Sequence, residues 1–189
     1  MLGPLKQLRT ASEAESEDAE EAIMAALKAL SEGVHGNKGH QTVASSNGAI
    51  ELVSSITESS SGAQLTACFD TMRALIRKHR TWWRLTPSFC FCGGNHAYWC
   101  GPPCTAENRK LVKKPFVQMV ANTILGMPED NELLVAALGV GATLCFRTED
   151  NKRTVYESNA PKSCLKILAR STNNVPALKV CTCGFRCVT

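Results

Sequence analysis

Between Cys90 and Cys104 the chain reads Cys90-Phe-Cys92-Gly93-Gly-Asn-His96-Ala-Tyr98-Trp99-Cys100-Gly-Pro102-Pro-Cys104, four cysteines and a histidine in fifteen residues. Such side chains can hold a metal, form disulfides, or supply a nucleophile with its base. The chain's last stretch, Cys181-Thr-Cys183-Gly184-Phe-Arg-Cys187-Val-Thr189, carries three more cysteines. Both stretches open as C-x-C-G-x-x followed by a donor, His96 in one and Cys187 in the other. Zinc takes four thiolate or imidazole ligands in a tetrahedron, with sulfur at about 2.3 Å and nitrogen at about 2.0 Å. Glycine after the second cysteine permits a sharp turn, so that two close thiolates can share an ion and backbone amides can approach the sulfurs. Cys90, Cys92, His96, Cys100, Cys104, Cys181, Cys183 and Cys187 together make eight donors, enough for one or two four-coordinate ions. The expectation is structural zinc, with the middle and the end of the chain contributing to a common site. His79 is an alternative ligand. Disulfides and iron–sulfur ligation are the competing uses of the same cysteines.

Catalytic uses of these residues meet specific obstacles. A zinc deaminase needs H-x-E followed by P-C-x-x-C. Here Tyr98 stands at the glutamate position after His96, and Pro103-Cys104 has no second cysteine after it. No P-loop, G-x-G-x-x-G or H-E-x-x-H is present. A cysteine protease, with Cys100 or Cys104 beside His79 or His96, remains the one enzymatic alternative. A nucleophile has no need of so many neighbouring sulfurs, so a non-enzymatic role is expected.

The charge distribution suggests what the cysteine-rich region faces. The chain of 189 residues has a net charge of +4. Residues 1–32 carry seven acids against three bases. From Arg73 to Lys114, Arg73, Arg77, Lys78, Arg80, Arg84, Arg109, Lys110, Lys113 and Lys114 oppose the single acid Glu107. Trp82, Trp83, Tyr98 and Trp99 fall among them. Cations with interleaved rings suit a protein partner, because arginine and aromatic residues dominate interaction hot spots. They also suit single-stranded nucleic acid such as RNA, through phosphate contacts and base stacking. Ordinary amphipathic packing would use the same residues.

The elements that must position these side chains are mostly helical. Ser12-Glu-Ala-Glu15 has the form of a capping box, followed by Ile23, Leu27 and Leu30 at helical spacing and Gly33 as a stop. A second use of this acidic helix would be docking to a basic partner. Residues 33–48 read as a flexible linker containing His35 and His40. Ile50, Val53 and Ile56 predict a short helix over residues 49–57. Leu65, Cys68, Phe69, Met72, Leu75 and Ile76 open the clearest helical pattern, which extends from Gln64 to Leu85 with Arg73, Arg77, Lys78 and Arg80 on its other face. Thr105 can cap a turn into 106–114; Pro115 restarts a helix through Phe116, Val120 and Ile124 to Gly126. A further short helix is expected over Leu133 to Leu138. The runs 142–148 and 153–158, flanking Glu149-Asp-Asn-Lys, predict a β-hairpin. Cys68, Cys145 and Cys164 are expected as core residues.

His79-Arg80-Thr-Trp82-Trp83, Trp99-Cys100-Gly-Pro102-Pro-Cys104 and Cys181-Thr-Cys183-Gly184-Phe-Arg-Cys187 resemble the cysteine-rich tail domain of paramyxovirus V proteins. The resemblance implies two zinc ions held by one histidine and seven cysteines, with His79 in the histidine's place. It also implies the role of a small viral accessory protein that grips host proteins to counter antiviral defence. Cys90 and Cys92 depart from that pattern.

The combined expectation is an α+β protein, mainly helical with a small β-hairpin, stapled by zinc between a central loop and the C-terminus. An acidic helix and linker (1–48) precede a zinc-stabilised globular domain (49–189). Met1 to Thr10 lacks the apolar run of a signal peptide, and the uncharged stretch from Leu133 to Phe146 is shorter than the roughly 20 residues of a spanning helix. The expected setting is intracellular, cytoplasmic or nuclear, where thiols stay reduced. The expected partner is a protein or a single-stranded nucleic acid rather than a membrane.

Overall fold

The computed structural model describes residues 2–14, 18–77, 106–126, 132–145 and 148–170. Within them the chain forms helices α1 (Leu2–Glu13), α2 (Ala19–Val34), α3 (Lys38–Ser46), α4 (Ala49–Ser59) and α5 (Gly62–Ile76). These are followed by α6 (Ala106–Leu111), α7 (Lys114–Gly126), α8 (Glu132–Cys145), α9 (Glu149–Glu157) and α10 (Ala160–Arg170). No strand occurs among the described residues, so the α+β expectation is corrected to a helical fold.

Helix α5 is central. It packs against α2, α4 and α8, while α7 joins α8 to α9 and α10. The pattern that predicted it holds through its buried face: Cys68, Phe69, Met72, Leu75 and Ile76 are all fully buried. The ring of Phe69 meets Phe116 of α7 edge-on, with centroids 6.0 Å apart, the arrangement that the aromatic quadrupole favours. Helix α5 ends at Ile76, because Arg77 is already extended (φ −77°, ψ 138°). The expected continuation toward Leu85 lies outside the described residues.

Helix α8 is apolar on all sides, as befits a helix enclosed by others. It runs to Cys145, past the expected end at Leu138, and takes up residues 142–145 of the predicted hairpin. Two observations explain why this region is helical. Leu144 and Cys145 are both buried, although adjacent strand residues would point to opposite faces. In α9 the buried residues Asn151, Thr154 and Val155 follow helical spacing. The threonines that suggested strands are accommodated by bonds one turn back: Thr143 Oγ1 donates to Gly139 O (2.8 Å) and Thr154 Oγ1 to Asp150 O (2.9 Å). Glu149 and Asp150 occupy the first turn of α9, where the helix dipole favours acids, and Glu149 pairs with Lys152 at 3.1 Å.

The N-terminal third also differs from the sequence reading. Ser12 lies in the last turn of α1 and donates to Arg9 O (2.8 Å), so it does not start the next helix. Helix α2 begins at Ala19 and continues through Gly33 to Val34. Residues 33–48, expected as a linker, hold α3. Asn37 caps it by accepting from the His40 amide (3.1 Å), and Gln41, Ala44 and Ser45 are buried. Gly48 then turns the chain into α4 in the left-handed conformation (φ 81°). The 49–57 helix appears as α4, with Ile50, Val53 and Ile56 buried as expected. Leu5, Leu8, Ala26, Leu27, Leu30 and Val34 belong to the same core as Phe69 and Leu144, so α1 and α2 are packed parts of the fold. No helix among the described residues is long and apolar enough to cross a membrane.

Candidate functional site

Helix α5 delivers the chain to residues 78–105, which carry the first cysteine cluster, and α6 receives it afterwards. The end of α5 is built with unusual support. The last carbonyls of a helix lack intrahelical partners. Here Gln41 of α3 donates from Nε2 to Ala74 O (2.7 Å) and to Arg77 O (3.0 Å). Asn108 of α6 donates from Nδ2 to Leu75 O (3.0 Å), and the Arg77 amide donates to Arg73 O (2.9 Å). Side chains from α3 and α6 thus grip the same helix end. Gln41 is only 2% exposed, and its Oε1 is buried without a hydrogen-bond partner among the described residues. A buried acceptor in that state costs about 1–3 kcal/mol. Neither Gln41 nor Asn108 was expected from the sequence. Their bonds reach backbone atoms 33 or 36 positions away, and no local pattern announces them.

The cations expected around the cluster divide into two groups. Arg109 is 5% exposed, an interior side chain of the α6 turn. Arg73 lies across α8: a Cβ added at Gly139 would sit 2.8 Å from its Nη1, and its Nε is buried. Its charge acts on Asp70 of the same helix. Desolvation raises the pKa of the Asp70 carboxyl, the Arg73 charge opposes that rise, and Glu132 adds to it. Arg109 is thus interior and Arg73 half-buried, whereas both were expected on a partner-facing surface. Lys110, Lys113 and Lys114 are exposed, and Arg77 is half-buried at the end of α5. Lys78, Arg80, Trp82, Trp83, Arg84, Tyr98 and Trp99 lie outside the described residues.

Cys68, Cys145 and Cys164 are buried and in no disulfide, as expected of core residues. Burial pushes the Cys68 thiol up, while its hydrogen bonding with Ser60 and Thr57 acts the other way. A protonated, enclosed thiol is a poor nucleophile. His40 is exposed, with Nδ1 2.8 Å from Gly33 O in the last turn of α2, and His35 is exposed too. The expected ligands Cys90, Cys92, His96, Cys100, Cys104, Cys181, Cys183 and Cys187, with His79, lie outside the described residues. Among the described residues no group of three or more histidine, cysteine or acidic side chains is arranged to hold a metal. No protein-family model matches the chain, and no curated protein matches it.

Proposed function

We propose that this chain is a non-catalytic, zinc-binding regulatory protein that presents a basic surface to a protein partner. The observation that carries the reading is how the ten cysteines divide. Cys68, Cys145 and Cys164 are enclosed in the helical core, each apart from the others in sequence. The other seven fall in the two stretches that share C-x-C-G-x-x, and His96 or His79 supplies an imidazole beside them. A donor set of thiolates with one imidazole suits zinc, and structural zinc contributes folding free energy outright. Cys90, Cys92, His96, Cys100 and Cys104 would hold it from the centre of the chain, and Cys181, Cys183 and Cys187 from its end.

The helical core accounts for its own folding through apolar burial, which leaves the ion the task of ordering the cysteine-rich stretches. The resemblance to the V-protein tail domain supports the same assignment and suggests an accessory factor that counters host defence. The exposed Lys110, Lys113 and Lys114 adjoin the first cysteine stretch in sequence, and they favour a partner with an acidic face.

Elemental mass spectrometry on reduced, full-length protein tests the metal. One or two zinc ions per chain are expected, with loss of stoichiometry in Cys183→Ser; metal-free wild-type protein would sink the proposal. Binding assays then separate the partner classes. Salt-steep binding to single-stranded RNA, weakened by Lys113→Ala, would replace the protein partner with nucleic acid.

A further inference from the structure

The helices carry exposed acids and exposed lysines on separate parts of the core. Thr71 of α5 donates from Oγ1 to Leu27 O of α2 (3.1 Å), and His40 and Gln41 of α3 join the last turns of α2 and α5. Helices α2 and α5 therefore run in the same direction. Asp18, Glu20 and Glu21 mark the start of α2, whereas Asn108 fastens α6 to Leu75 O near the end of α5. Glu20 and Glu21 thus lie roughly 16 Å from that anchor along the helix direction, from the axial rise per residue. Helix α2 packs on α1, α3 and α5, α6 packs on α4 and α5, and α7 packs on α8, α9 and α10. Asp18, Glu20, Glu21, Lys110, Lys113 and Lys114 are exposed, and none is in an ion pair among the described residues.

Each part also offers apolar surface. Leu111 is 42% exposed, between Lys110 and Lys113. On α2, Ala22 and Ala25 are exposed beside Glu21, and neither has a side chain beyond Cβ to hold a second element away. Lys28, one turn on, ends the acidic part of that face. We infer that the start of α2 docks onto the Lys110–Lys114 elbow of a second copy of this chain. The acids of one copy meet the three lysines of the next, and Leu111 covers the two alanines. The chain itself supplies the complementary face, which its own helices keep apart within one copy. Two different patches meet, so the contact is heterologous, and each copy retains one patch of each kind for a further neighbour unless the assembly closes. Exposed ion pairs are individually weak, so the association is reversible and salt-sensitive. The inference goes beyond the metal and partner readings above and needs neither.

Sedimentation velocity on the full-length reduced chain, at low and high salt, tests it. The variants are Glu20→Lys with Glu21→Lys, Lys110→Glu with Lys113→Glu, and a control, Lys162→Glu with Lys166→Glu, which reverses exposed charges on α10. Circular dichroism checks that each keeps its helices. Wild type and the control should self-associate at low salt and separate at high salt. Each of the other two proteins should associate at least about tenfold more weakly, as like charges now face each other. Their equimolar mixture should regain association, because opposite charges meet again. A wild type that stays monomeric at low salt overturns the inference. So does an equal loss in the control, which would show attraction by overall charge alone, or a mixture that stays monomeric. None of these outcomes touches the zinc stoichiometry, so the reading above stands or falls separately.

Discussion

At the scale of single residues, the contact between Arg73 and Gly139 shows how an expected surface cation becomes part of the packing. Glycine within a helix is unfavourable by about 1 kcal/mol relative to alanine, because it frees the unfolded backbone. At position 139 the missing Cβ makes room for the guanidinium, which would otherwise lie within 2.8–3.2 Å of it. Two opposite outcomes are expected. Gly139→Ala should destabilise the protein, by roughly the 1–3 kcal/mol typical of overpacking. In an Arg73→Ala background the same change should be neutral or stabilising, since only its helix propensity remains. Urea denaturation of the four proteins gives the coupling; equal effects in the two backgrounds would show that the guanidinium does not occupy this space. Cys68 makes a related point about chemistry. Its buried thiol, with a pKa raised by desolvation, belongs to the core and stands apart in sequence from the clustered cysteines.

At the scale of elements, helix ends carry much of the specificity of this fold. The Asn151 side chain of α9 donates to Leu144 O (3.0 Å), close to the end of α8, and so joins two successive helices. Asn151→Ala should leave that buried carbonyl without its partner and destabilise the protein by about 1–3 kcal/mol. Faster amide exchange should be confined to the last turn of α8 and the first turn of α9; uniform acceleration across the molecule would contradict the local role. The bond also shows why a hairpin was the wrong expectation for 142–158. Alternating threonines and apolar residues resemble a strand when read locally. Here the hydroxyls return to carbonyls one turn earlier, and neighbouring apolar residues find burial on both sides. Residues 33–48 misled in the opposite sense. Gln41, Ala44 and Ser45 are small or polar, so the buried face of α3 carries little apolar signal.

At the scale of the whole molecule, the described helices share one apolar core built from residues of α1, α2, α3, α4, α5, α7, α8, α9 and α10. Metal removal should therefore separate two properties. With a chelator in reducing buffer, far-UV circular dichroism should retain most of its helical signal, because the core supplies that order. The melting temperature should fall and should depend on free zinc, as expected for a ligand that binds the folded state alone. A collapse of helicity on chelation would mean that the ion, and not the core, organises the helices. Salt should act on the partner surface. Lys110, Lys113 and Lys114 are solvated, so an attraction they provide weakens as ionic strength rises past about 0.1 M.

The sequence alone determined the properties that are local or chemical in origin. The spacing of Cys68, Phe69, Met72 and Leu75 dictated an amphipathic helix, since any α-helix brings positions three and four apart onto one face. Likewise, the density of thiols in two stretches of the chain dictated a choice among metal, disulfide and nucleophile. Tertiary structure alone decided where Arg73 and Arg109 would lie, that 142–145 and 149–157 would be helical, and that Gln41 and Asn108 would close on the end of α5. The physical reason is common to all three. Burial and backbone hydrogen bonding are set by partners tens of residues away, and they override the preferences that a short stretch of chain expresses by itself.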